Sequence, residues 1–280
     1  MSKNKFQKAS GEIIFQNRNF TFKTIFMNAE NQNGSLQTTL NNAVATVQFG
    51  HPASNSFPRE LLDRLTAEIN SLSRNEAVSV IVLQSEGSKT FCSGASFDEL
   101  LQVENEEQGT EFFSGFAHLL NAMRNCSKII VGRVQGKAVG GGVGIIATCD
   151  YVLATPESAI KLSELAIGIG PFVIEPAVSR KIGKTAMTEM TLAATEWKSA
   201  NWALQNGLYA SLHNGDVLDA AVEDFAQKLS SYNPEALFEM KKIIWEGTEQ
   251  WESILIERAK ITGKLVLSDF ARKALTQFKK

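Results

Sequence analysis

The hydrophobic pattern of the chain changes period along its length. Between Ala43 and Leu162, short apolar runs alternate with stretches of helical spacing. "AVATVQF" (43–49) reads as a strand, and "VSVIVLQ" (78–84) is a continuous β-branched run, as expected of a strand buried on both faces. "KIIVGRV" (128–134), "YVLAT" (151–155) and "AIKL" (159–162) predict further strands. Between them, Leu61, Leu62, Leu65 and Ile69 recur at helical spacing in residues 58–74, with Pro58 at the first turn, and residues 110–126 predict a second helix. Beyond about residue 170 almost every segment reads as helix: "PFVIEPAVSRKIG", "KTAMTEMTLAAT", "SANWALQNG", "DVLDAAVEDFAQKLSS", "PEALFEMKKIIWEG" and, as one piece, residues 251–280. No repeat of solenoid length is visible. The pattern predicts an α/β core followed by a helical C-terminal region.

Residues 1–40 stand outside this pattern as a peripheral extension. "GEIIFQNRNFTFKTIF" (11–26) predicts a small hairpin, and "NAENQNGSLQTTLNN" (28–42) a polar linker. The core then spans residues 41–200 and the helical region residues 201–280.

Composition narrows the function by exclusion. A net charge of −2 over 280 residues gives no electrostatic reason to expect nucleic acid or membrane. Cys92, Cys126 and Cys149 are widely spaced with no CxxC pair, which argues against a disulfide framework or a structural zinc and predicts small buried hydrophobes in a reducing compartment. No run approaches the ~18 apolar residues of a membrane helix. The N-terminus lacks a secretory apolar core, so a cytoplasmic location is expected, with no metal.

The chemistry concentrates in "GKAVGGGVGIIATCD" (136–150). Three consecutive glycines, Gly140 to Gly142, strip the β-carbons from one short stretch and let another group approach the backbone. The apolar "VGIIATC" that follows predicts a short buried helix, whose first N–H groups offer a site for negative charge. Such donors can stabilise the oxyanion formed when a thioester becomes an enolate; alternatively, the glycines serve only tight helix–strand packing. Gly142, Gly144 and Ala147 also fit a dinucleotide-binding G-x-G-x-x-A with Glu164 downstream. However, the glycines do not directly follow a strand, and the helix is too short. His51, His118 and His213 are scattered, with no serine at the glycine elbow, which leaves a Ser–His–Asp hydrolase unsupported; His118 is expected to be a structural residue of an apolar helix.

A second segment, "SKTFCSGASFDEL" (88–100), also follows a buried strand and places Gly94 before a helix start. "TFCSGASFDEL", "GKAVGGGVGIIATCDYVLAT" and "KLSELAIGIGP" together resemble the crotonase superfamily, the enoyl-CoA hydratase/isomerase group, from about Ala43 to the C-terminus. The resemblance implies an α/β crotonase (ClpP/crotonase-like) fold, a spiral of ββα units with a helical C-terminal region that serves oligomerisation and covers the CoA pocket. It implies a homotrimer or homohexamer acting on acyl-CoA thioesters in fatty acid metabolism, with coenzyme A as part of the substrate and no separate cofactor.

Carried over residue by residue, the resemblance places the two oxyanion-holding amides on Ala95 and Gly141 and an acid/base carboxylate on Glu164. Hydratases of the group add a second glutamate three residues after the central glycine, and here that residue is Gly144. One carboxylate suffices to move a double bond, so isomerisation is modestly favoured. The alternatives are hydration, including methylglutaconyl-CoA-type substrates, or CoA-ester binding with little turnover. Glu175 is the candidate second acid. The loop "HPASNSFPR" and the segment around Ala95 point to Asn55, Arg59, Lys89, Ser96 and Phe97 as substrate- and CoA-binding candidates, with Gly142 and Phe172 beside the acyl group. Lys279 and Lys280 match family lysines that approach the CoA of a neighbouring subunit.

Overall fold

The computed structural model describes residues 33–278, with the side chain of Phe278 left aside. The hairpin expected over residues 11–26, Lys279 and Lys280 lie outside them. Strands β1 (Ser35–Asn41) and β2 (Val44–Gly50) lead into helix α1 (Arg59–Arg74), then β3 (Val80–Ser85), β4 (Thr90–Cys92), α2 (Phe97–Leu100) and α3 (Glu106–Asn125). Next come β5 (Ile129–Val134), β6 (Lys137–Val139), α4 (Gly141–Thr148), β7 (Tyr151–Ala154), β8 (Ala159–Lys161) and α5 (Glu175–Leu192). The chain finishes with β9 (Lys198–Ser199), α6 (Ala200–Gln205), β10 (Ser211–Leu212), α7 (Leu218–Ser230), α8 (Pro234–Ile244), α9 (Trp251–Leu265) and α10 (Asp269–Phe278).

A large sheet runs β1-β2-β3-β5-β7-β10 and a small one β4-β6-β8-β9. Each successive β-β-α unit therefore gives its first strand to the large sheet and its second to the small one: β3 and β4, β5 and β6, β7 and β8. Pairing is parallel through β2, β3, β5 and β7, with Val44, Val80 and Ile129 in register. This is the spiral of ββα units that the crotonase resemblance implies. The β-branched strands are buried because helices cover them: Val47, Ile81, Leu83 and Ile130 join the main core with α1 and α3, whereas Val80, Val82 and Val131 pack with α7. Among the described residues no helix is long and apolar enough to cross a membrane.

Two departures from the sequence pattern stand out. Residues 35–41, expected as linker, are β1, which pairs antiparallel with β2 along its whole length. It is an edge strand exposed over Gln37–Asn41, so it needs no apolar alternation. By contrast, the two helices expected on either side of Gly183 are both present within α5, separated by a kink where Gly183 takes φ 77°. The C-terminal helix expected over 251–280 breaks between Leu265 and Asp269 into α9 and α10.

Asp150 ties the helical region to the core. Its carboxylate accepts from the Ile130 amide at 2.7 Å and from Trp245 Nε1 at 2.7 Å, and pairs with Lys241 Nζ at 2.9 Å. Both charged side chains are under 5% exposed, and Lys241 also donates to the Met123 and Lys128 carbonyls. The three cysteines are free and buried, as expected.

Candidate active site

The turn after β4 and the turn after β6 meet because both are bare backbone. Gly94 has φ +91°, and a β-carbon there would lie 3.0 Å from the Val139 carbonyl and 3.7 Å from the Gly141 nitrogen. The first turn is fastened to Phe57: Phe57 N donates to Gly94 O at 2.8 Å and Ser96 N donates to Phe57 O at 3.0 Å. This spacing leaves the intervening Ala95 amide without an acceptor among the described residues. Gly140, at φ +54°, precedes α4, and its amide donates to the Lys161 carbonyl of β8 at 2.9 Å. The Gly141 amide opens α4 and likewise has no acceptor among the described residues, as the first N–H groups of a helix require none. A β-carbon on Gly141 would sit 2.3 Å from Phe116 Cε1. Glycine at this position is thus a steric requirement.

Glu164 closes the constellation from the other side. It stands just beyond the end of β8, and its Oε1 would lie 2.9 Å from a β-carbon on Gly140. Its Oε2 is sealed from solvent with no hydrogen-bond partner, although the residue as a whole keeps intermediate exposure. The two oxygens share the carboxylate's charge, and sealing one of them from water destabilises the charged form. Burial pushes the carboxyl up to about 7, offset in part by its own backbone amide. A carboxyl poised there can both take and return a proton near neutral pH.

Ala95, Gly141 and Glu164 line one cavity with Phe113, Phe116 and Ile174 among its apolar walls. Its volume is about 60 Å³, enough for a few water-sized groups at about 10–15 Å³ each. Among the described residues Glu164 is the single titratable side chain in its lining. Of the cavity's hydroxyls, Ser93 donates to the Ala53 carbonyl and Thr262 to the Arg258 carbonyl. A roomier groove of about 440 Å³ lies between the large sheet and α7. There Arg133 is paired with Asp219 and neither glycine turn contributes to the lining, so the smaller cavity is the candidate.

The remaining sequence candidates scatter. Phe97 lines the cavity. Gly142 lies behind it, where a β-carbon would meet Cys92 at 2.7 Å. Ser96 caps α2, its hydroxyl accepting from Glu99 N at 3.4 Å. The Asn55 side chain is spent on tying its loop to the β3–β4 connection, donating to the Glu86 and Thr90 carbonyls and accepting from the His51 amide. Arg59 pairs with Asp63 at 2.9 Å and lines a separate groove with Glu99 and Glu111. Lys89 is exposed on the loop before β4. Phe172 stays outside the cavity and covers Gly170, and it is Val173 that forms the wall.

Glu175 also points away. It accepts from Ser179 Oγ at 2.5 Å and pairs with Arg258 Nη1 at 2.5 Å and Lys184 Nζ at 3.7 Å. Burial alone would raise its pKa, but the bonds from Ser179 and Arg258 hold it below the ordinary value. His118 is exposed rather than a buried structural residue. Sequence reasoning missed Phe113, Phe116 and Ile174, whose apolar character is indistinguishable from that of any core position.

Residues 39–279 match the enoyl-CoA hydratase/isomerase family model. The mitochondrial enoyl-CoA hydratase of Pongo abelii is 28% identical over 82% of this chain and 78% of its own length. The short-chain-enoyl-CoA hydratase of Clostridium acetobutylicum is 25% identical over 84% of this chain and 90% of its own. In fold, the enoyl-CoA hydratase of Bacillus halodurans superposes with a TM-score of 0.80 at 20% identity, covering 86% of this chain and 99% of that one. A match spanning the α/β core and the C-terminal helices, together with two glycine turns converging on a buried carboxylate, makes the chain a crotonase-fold enzyme of the enoyl-CoA hydratase/isomerase family.

Proposed function

We propose that this enzyme moves the double bond of short-chain enoyl-CoA thioesters from the 3 to the 2 position. One observation carries the reading: among the described residues Glu164 is the single titratable group lining the cavity. In this mechanism the Ala95 and Gly141 amides donate to the thioester oxygen, and α4 lends the positive end of its dipole. Glu164 takes a proton from C2, which gives an enolate whose charge the amides hold. The same carboxylic acid then returns the proton at C4 as the double bond settles between C2 and C3. No atom is gained or lost. The narrow chamber supports a short acyl group, and the orphaned Oε2 supports a base that spends nothing on other partners.

Hydration is the second reading, favoured by the names of the relatives in Pongo abelii and Clostridium acetobutylicum. It would require a second proton donor in the chamber. The exposed Leu192, Ile243 and Phe270 offer apolar surface to the homotrimer or homohexamer that the family resemblance implies.

The test uses a four-carbon 3-enoyl-CoA and the matching trans-2-enoyl-CoA, followed by conjugated-enoyl absorbance with product masses. Gain of absorbance from the first at constant mass is expected. Loss of absorbance from the second with the mass of one water gained, and no turnover of the first, would overturn the isomerase reading.

A further inference from the structure

Gly144 stands three residues beyond Gly141, yet it does not reach the cavity. A β-carbon on Gly144 would lie 2.4 Å from Ile174 Cγ2 and 2.7 Å from Ile174 Cβ. Ile174 is 3% exposed and itself forms the cavity wall at that point. We propose that Ile174 is the residue that determines the reaction's outcome: it fills the volume that a second carboxylate and its bound water would need, so the chamber can relay a proton but cannot add water. This inference rests on the isomerase reading.

Ile174 is an anchored wall. It immediately precedes α5, and the residues around it are fastened to α9: Arg258 donates to the Phe172 carbonyl at 3.4 Å and pairs with Glu175 at 2.5 Å. Helix α9 is in turn locked into the core by Leu255 and Ala259, both fully buried. A β-branched side chain on a fixed backbone has few rotamers into which it can retreat. The same ties explain why the carboxylate next door is lost to the site. Successive residues at a helix start point about 100° apart, so aiming residue 174 inward turns Glu175 outward to Ser179, Lys184 and Arg258.

The chemistry requires more of this wall for hydration than for isomerisation. Adding water forms a C3–O bond, gives the water's proton to a base and delivers a proton to C2. A resident water needs about two to four polar partners, and Ile174, Val173 and Ile169 supply none on their side of the chamber. Isomerisation transfers a single proton from C2 to C4 while the double bond shifts, which Glu164 can do against a dry wall.

The experiment compares the wild type with Ile174→Ala, Gly144→Glu and the double variant, reading melting temperature and the ratio of hydration to isomerisation on the two four-carbon thioesters. Gly144→Glu alone is expected to melt lower than the wild type, because its side chain collides with Ile174. The double variant should recover part of that loss and raise the ratio by about tenfold or more, the scale of adding one acid/base group. If the wild type isomerises but the folded double variant keeps the wild-type ratio, Ile174 does not set the outcome. If Gly144→Glu alone hydrates at full melting temperature, Ile174 is no barrier, which also overturns the inference. Should the double variant not fold, Ile174→Ala alone decides, since opening the wall must raise the ratio. A wild type that hydrates, or that turns over neither thioester, refutes the isomerase reading and is thereby distinguished from a failure at Ile174.

Discussion

Replacing Glu164 with Gln should inactivate the enzyme and, above neutral pH alone, make it more stable. The folded carboxyl sits at about 7 against an ordinary value of 4.5, so the native state binds this proton more tightly than the unfolded chain does. The sign follows by linkage. Below about pH 4.5 both states are protonated and the group costs nothing; as pH rises through 7 the native state alone bears a desolvated charge, and stability is lost. The interval corresponds to about 3 kcal/mol at ~1.4 kcal/mol per pH unit, an upper bound for a residue that retains some exposure. The amide introduced by the substitution brings a penalty of its own, about 1–3 kcal/mol for a buried unpaired polar group, but that term does not change with pH. The pH dependence of the difference is therefore diagnostic. Scanning fluorimetry at about pH 5 and pH 8.5 should find the variant gaining roughly 5–10 °C relative to the wild type between the two conditions. In parallel, kcat should fall by roughly 10²–10⁴-fold, and the wild-type kcat/KM should rise with pH through about 7. A melting-temperature difference that is the same at both pH values would show that Oε2 is solvated and that its charge carries no folding penalty. That result would remove the physical basis for a neutral-pH base.

Two further substitutions test the frame around this carboxylate. Gly141→Ala puts a methyl group 2.3 Å from Phe116 Cε1; kcat/KM should drop by roughly 10²–10³-fold, the usual cost of losing an oxyanion donor, and activity within about threefold of wild type in steady-state assays would exclude that role. Lys241→Met removes the cation paired with buried Asp150; urea denaturation should show about 3–5 kcal/mol lost, and an unchanged midpoint would show that the Ile130 and Trp245 donors, with Arg180 and Lys181 nearby, suffice to hold the carboxylate.

The parts of the fold that were legible are those whose burial is two-sided or periodic. The run at 78–84 announced a central strand because helices cover both faces of β3, and Leu61, Leu62, Leu65 and Ile69 announced α1 because one stripe of it is buried. Strand β1 was invisible because an exposed edge imposes almost no apolar requirement. The break at residues 266–268 is not announced because helical periodicity continues across it on both sides, whereas the glycine at 183 marks its own break.

The active site divides along the same physical line. The amides of Ala95 and Gly141 and the carboxylate of Glu164 are properties of short local segments, glycine turns after strands and a carboxylate after a strand, so a linear reading can find them. Whether those groups isomerise or hydrate depends on what stands opposite, and the opposite wall is built by Phe116 of α3 and by Ile174 just ahead of α5. At those positions the demands of the core and the demands of the reaction coincide: both ask for a bulky apolar side chain. Glu175 shows the converse. It is a carboxylate in the right stretch of chain, yet one residue of helical rotation turns it to Arg258 and out of the chemistry. In a chamber with room for only a few atoms, the reaction is set as much by the residue that keeps water out as by the residue that moves the proton. For this chain, the contact between Ile174 and Gly144 is where that exclusion can be tested.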